Sequence, residues 1–218
     1  MTRTKAKTDA PPRKMSREVR RDQLIQSTIE TLALRGYAST TLTEVARTAG
    51  LSHGLVNFHF ESKEKLLAET LNFLSEEYRN NWQKFLDEAP KDPASQLDAL
   101  LRADLDPALC TPTRLSAWLA FWGEVQGRPL YQKQASKNDE AYIARMEDFV
   151  ARLMAEGGYS GDATKVARVL RISTEGVWLD MMTMTRPYDL AESQETVFTC
   201  TAAFFPRHFT EKGLIRPA

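Results

Sequence analysis

The sequence predicts an all-α protein of about nine helices. Helix boundaries are marked along the whole chain. Ser16, Ser52, Ser62, Thr111-Pro112, Asp162 and Asp189 are capping residues at helix starts, and Gly36, Gly50 and Gly157-Gly158 are stops. Between these marks, apolar residues recur at three- and four-residue spacing, the signature of a one-sided helix. No segment alternates apolar and polar residues over the length of a strand.

Residues 1–15, MTRTKAKTDAPPRKM, read as a basic flexible tail. The first helix runs from about Arg17 to Arg35, with Leu24, Ile25, Thr28, Ile29 and Leu32 as its stripe. Residues 41–60, TLTEVARTAGLSHGLVNFHF, read as two short helices joined by a tight turn. Thr41 and Glu44 have capping-box spacing, and Val45, Ala46 and Ala49 give a small apolar face. Gly50 stands where the chain needs positive φ, and Leu51 can plug the corner. The second short helix, about His53 to His59, puts Val56 and Phe60 on one face. His53, Leu55, Asn57 and His59 are left to point elsewhere. So short a helix is unstable alone, and makes sense as a reading head for the DNA major groove held by its neighbours.

Ser62 caps a long fourth helix to about Leu86, with Leu67, Leu71, Leu74, Tyr78 and Phe85 near one face. Pro90 and Pro93 bracket a break, after which Leu97, Leu100, Leu101 and Leu105 mark a short helix. Thr111-Pro112 opens RLSAWLAFWGEVQG, closed by Gly127 and Pro129. Three more helices follow, at about 130–155, 162–185 and 189–205.

The 218 residues carry no net charge, but the charge is unevenly placed. Residues 1–65 hold 12 Lys/Arg against 7 Asp/Glu, and the remainder holds 17 against 22. A basic first third on an acidic remainder fits one part meeting phosphates and another facing solvent or a partner. The two cysteines, Cys110 and Cys200, and three histidines have no metal spacing, so neither metal nor cofactor is expected. No nucleophile elbow, phosphate-cradling glycine loop or His-Glu-x-x-His motif occurs, which argues against an enzyme. With no apolar run of membrane-spanning length and no hydrophobic signal segment, a cytoplasmic location is expected.

Residues 20–67 resemble the DNA-binding domain of the TetR family of one-component regulators. The resemblance covers about a fifth of the chain and rests on Gly36-Tyr37, Thr40-Thr41, Ala46, Gly50, Ser52-x-Gly54, Phe60 and Lys63-Glu64-x-Leu66-Leu67. Asn57, where many members carry Tyr, is similar to the branch containing the choline-responsive repressor of betaine synthesis (BetI-like). The resemblance implies a head over 16–62 and a ligand-binding and dimerisation domain over 63–218. It also implies a homodimer on a palindromic double-stranded operator. The resemblance further implies that the last two long helices, Asp162–Thr185 and Asp189–Phe205, pair with their mates as a four-helix bundle; their Val166, Val169, Leu170, Val177, Val197, Phe198 and Phe204 exceed what one side of a helix needs for its own core.

Within the head, His53, Leu55 and Asn57 are expected at base edges, with Gly54 in the same interface. Thr43, Ser52, His59 and Lys63 are expected at phosphates. In the second domain, Trp118 and Trp122 lie four residues apart beside Phe121, and Tyr131, Tyr142 and Trp178 follow on later helices. Singly, each aromatic is most simply core. As a set they suit a quaternary ammonium ion held by cation–π attraction, with Trp118, Trp122, Tyr131 and Trp178 as its walls. Glu124 or Asp180 would balance the charge. Residues 118–132 and 175–181 are similar to ligand-domain segments of the same branch, which implies a choline-like effector. The alternatives are a regulator answering another small molecule, an architectural DNA-binding protein, or an enzyme without a recognisable motif.

Overall fold

The structure, a computed structural model, describes residues 16–124, 129–187 and 189–216, with only the backbone of 129–139. The expected basic tail lies outside the described residues. Nine helices occur among them: α1 (Arg17–Ser39), α2 (Leu42–Ala49), α3 (His53–Phe60), α4 (Lys63–Glu88), α5 (Pro93–Asp104), α6 (Pro112–Trp122), α7 (Pro129–Gly157), α8 (Ala163–Thr183) and α9 (Leu190–Phe204).

The predicted caps are where the chain uses them. Ser16, Thr41, Ser52, Ser62, Thr111, Asp162 and Asp189 each accept a backbone N–H from the first turn of the following helix. Asp189 and Glu192 complete a reciprocal capping box. Gly36 breaks α1 at φ 71°, and Gly50 turns between α2 and α3 at φ 65°. Pro93 opens α5 behind the cap Asp92 instead of extending the break before it. α6 ends at Trp122, short of the expected Gly127, and residues 125–128 are outside the described part.

Two hydrophobic cores form. The first gathers Leu24, Ile29 and Leu32 of α1, Val45 of α2, Val56 and Phe60 of α3, and Leu66 to Leu74 of α4. It also takes Ala117 and Phe121 from α6, which packs along α1. The second core joins the distal half of α4 to α5, α7, α8 and α9. α4 therefore runs continuously from one core into the other, and α6 ties them a second time.

Two expectations are corrected. A small antiparallel pair, β1 (Phe209–Thr210) and β2 (Gly213–Leu214), closes the chain where no strand was expected. Two-residue strands are too short to show alternation. They are held from outside, by the Leu214 N–H donating to Asp98 Oδ1 at 3.1 Å and Arg102 Nη2 donating to the Lys212 carbonyl at 3.2 Å. The apolar surplus on the last two helices is also mostly internal. Val166, Leu170, Val177, Val197 and Phe198 are buried in the chain's own core, and Phe204 packs partly against it. The exposed apolar side chains on α8 are Val169, Ile172 and Leu179.

Candidate functional site

The reading head is a helix pair with a fixed corner. The Leu51 N–H donates to the Ala46 carbonyl at 2.9 Å, and Leu51 packs against the head core. α3 is anchored by Val56 and Phe60, both fully enclosed, so its opposite face is directed outward. There His53, Gly54, Asn57 and Phe58 are exposed and Leu55 is half-buried. Thr43 and Ser52 are exposed at the starts of α2 and α3. Nothing in the chain lies within 4 Å of a side chain built at Gly54. Gly within a helix costs about 1 kcal/mol relative to Ala, and no internal contact requires it here.

His59 differs from its expected outward position. Its ring is buried between Phe58 and Phe60, with centroids 5.4 and 6.4 Å away. Burial, then the nearby Arg17, Arg21 and Arg20, lower its pKa, which favours neutral imidazole. The outward ring is instead that of Phe58, 66% exposed, with the Arg17 guanidinium 5.7 Å from its ring centre. A helical wheel carries the signal, because Phe58 is four residues from Gly54 and three from Leu55. Lys63 is engaged within the protein. Its Nζ donates to the carbonyls of Tyr37 and Ala38 at 3.0 and 3.1 Å, pinning the start of α4 to the corner after Gly36.

In the second domain a cavity of about 190 Å³ opens among α4 to α8. Trp118, Trp122 and Trp178 line it together, as expected from sequence. Tyr131 belongs to α7, but its side chain lies outside the described residues. Trp122 and Trp178 face each other with centroids 6.4 Å apart and planes 30° from parallel. Tyr78 meets Trp178 edge-on at 6.1 Å, and Tyr142 lies 5.7 Å from Tyr78.

The acids are other than those expected. Glu124 and Asp180 do not line the cavity, whereas Asp104 and Glu175 do. Asp104, 2% exposed at the end of α5, accepts one phenol on each carboxylate oxygen: Tyr78 on Oδ1 at 2.7 Å and Tyr142 on Oδ2. Its backbone carbonyl accepts Trp178 Nε1–H at 3.0 Å and the Cys110 thiol at 3.1 Å. Burial pushes the Asp104 carboxyl up to about 7, opposed by the two phenols and reinforced by Glu175. The same surroundings raise both tyrosines, so they remain hydrogen-bond donors. Glu175 is already paired with Arg171. Asp104 has no cationic partner among the described residues. The space is below the roughly 300–1,000 Å³ usual for drug-sized ligands, a size that suits only a small molecule.

Residues 24–70 match the family profile described as bacterial regulatory proteins, tetR family, and residues 93–206 match BetI-type transcriptional repressor, C-terminal. The chain belongs to the TetR family, in its BetI-type branch. A relative named HTH-type transcriptional regulator BetI, from Paraburkholderia xenovorans (strain LB400), is 30% identical over 85% of this chain and 93% of its own. Among solved structures, a candidate transcriptional regulator from Pseudomonas aeruginosa PAO1 is 27% identical with TM-score 0.74, over 87% of this chain and 90% of that one. Another, from Saccharomonospora viridis and solved in complex with choline, has TM-score 0.74 at 18% identity, over 91% and 100%. This TetR-family chain is thus a helix-turn-helix transcriptional regulator and not an enzyme. No described helix is long and apolar enough to cross a membrane.

Proposed function

We propose that this regulator is a homodimeric repressor of a palindromic operator, released by a small quaternary ammonium ion such as choline or betaine aldehyde. The observation that carries the ligand reading is the cavity itself: aromatic walls from Tyr78, Trp122, Tyr142 and Trp178 around a carboxylate with no cationic partner among the described residues. Ring faces attract a trimethylammonium group, and the carboxylate supplies the opposite charge. The choline bound by the Saccharomonospora viridis protein and the BetI name of the relatives support the same class. On the DNA side, the exposed face of α3 carries His53, Asn57 and Phe58, with Gly54 leaving room for close approach. Asn at this place can pair bidentately with adenine, and the apolar groups of Leu55 and Phe58 can cover thymine methyls.

The linkage between the sites follows from α6. One face, Trp118 and Trp122, lines the cavity; the other, Ala117 and Phe121, lies in the head core. An occupant that parts Trp122 from Trp178 displaces the helix that holds α1. Two heads must meet successive major grooves about 34 Å apart, so a small change at each base breaks the fit. Titrating choline while following tryptophan fluorescence tests the ligand reading. Choline should quench or shift the emission and bind more tightly than its uncharged isostere 3,3-dimethylbutanol. A gel shift on the protein's own upstream region should show release by choline. Equal affinity for the two compounds would remove the charge from the argument and leave an apolar ligand site.

A further inference from the structure

We infer that Asp104 couples capture of the cationic effector to release of a proton, so that the site reads effector and pH together. This rests on the ligand reading above and goes beyond it by naming the regulation of the site.

The geometry carries the argument. Asp104 is enclosed at the wall of the cavity, and its carboxylate oxygens are met by two neutral phenols, one from α4 and one from α7. Phenols satisfy lone pairs but supply no compensating charge. Among the described residues, the charged groups around this point are paired, except Asp106, which does not line the cavity. On α4 and α6, Glu77 is held by Arg114 through two hydrogen bonds at 2.6 and 2.7 Å. On α8, Glu175 is held by Arg171. In the connection after α5, Asp106 caps the Ala108 N–H and adds to the negative surroundings. The Cys110 thiol, pushed up to about 12 by burial, remains protonated. Among the described residues that line the cavity, Asp104 is therefore the carboxylate without a cationic partner, and its ionisation sets whether that wall carries a negative charge.

Without a ligand, burial holds the Asp104 carboxyl at about 7, so near neutral pH it is divided between the two forms. A cation against it favours the ionised form and drives the pKa down. The proton then leaves to solvent; no bond other than O–H is broken. The sign follows. Above pH 7 the carboxylate is ionised beforehand and binding is strongest. Below pH 7 each binding event must first expel a proton, so affinity falls by about tenfold per pH unit. The device makes an acid interior raise the effector concentration needed for release from DNA.

The test is calorimetric titration of the full-length dimer with choline chloride at pH 6 and pH 8, in buffers of different ionisation enthalpy. Expected are close to one proton released per choline at pH 6, close to none at pH 8, and a several-fold or greater loss of affinity at pH 6. 3,3-Dimethylbutanol should release no proton at either pH. In Asp104→Asn, which keeps shape and one acceptor, choline should bind weakly with no dependence on pH. Choline binding of equal strength at both pH values without proton release would overturn the coupling and leave the ligand reading standing. No binding of choline at either pH would overturn both. The measurement on the unaltered protein decides the matter even where Asp104→Asn fails to fold.

Discussion

Phe121→Leu tests the path from the effector cavity to the reading head. Phe121 is 1% exposed and meets Tyr37 edge-to-face, with ring centroids 6.2 Å apart. Tyr37 follows the Gly36 break, and its carbonyl accepts Lys63 Nζ. The contact thus joins α6 to the corner where α1 ends and α4 begins. Leucine keeps an apolar side chain in the head core but removes the ring pair, worth about 0.5–1.5 kcal/mol. With partial loss of packing, folding should weaken by about 1–2 kcal/mol, which a domain stable by about 5–15 kcal/mol tolerates. The coupling is measured separately. Choline affinity is determined with and without saturating operator DNA, and operator affinity with and without choline. The two ratios must agree by linkage. Where the Tyr37–Phe121 contact carries the coupling, the ratio should fall about two- to twelvefold, while choline binding to free protein stays unchanged. An unchanged ratio in a folded variant would refute the α6 path. It would leave α4, with Tyr78 in the cavity and Leu66 to Leu74 in the head core, as the transmitter.

The parts legible in the sequence are those set by neighbours in the chain. Ser52, Ser62 and Asp189 cap their helices because a short oxygen-bearing side chain needs only the next turn to satisfy. The stripe of α1 became core because its period matches the helix, whatever packs against it. Gly36 and Gly50 were readable because positive φ is a local demand. The failures share the opposite cause. Asp104 follows a run of leucines and looks like a surface acid, and its burial comes from Tyr78 and Tyr142, 26 and 38 residues away. Glu124 and Asp180 stand close to tryptophans in the sequence, but adjacency in a helix sends side chains to different faces. The apolar surplus on α8 and α9 is met in the same way by distant partners. Phe205 and Phe209 join their core, so α9's partners lie partly in its own C-terminal segment. His59, expected outward, is buried while Phe58 faces out, because an eight-residue helix with aromatics on two faces gives a weak periodic signal.

The remaining predictions separate the roles within each site. Asn57→Ala should cost about 1–3 kcal/mol at one base position of the operator and leave the others unchanged; uniform weakening across operator variants would assign Asn57 to the phosphates. Trp122, 40% exposed, is not needed to close the core, so Trp122→Leu should lower choline affinity by about 0.5–2 kcal/mol in a normally folded protein that still binds DNA. Thermal unfolding of that variant would show a large loss if the tryptophan is packing alone. Lys63→Ala separates the internal clamp made by its Nζ from the proposed phosphate contact. Removing the donor to the Tyr37 and Ala38 carbonyls should cost about 1–3 kcal/mol of folding stability, read by denaturant titration. Removing a positive charge beside the reading head should also reduce the slope of log affinity against log salt by about 0.9 per head, if the ammonium reaches a phosphate. The two effects are independent. A destabilised variant with an unchanged salt slope would make Lys63 a clamp at the α1–α4 corner. Its effect on DNA binding would then come entirely from how firmly that corner holds the head.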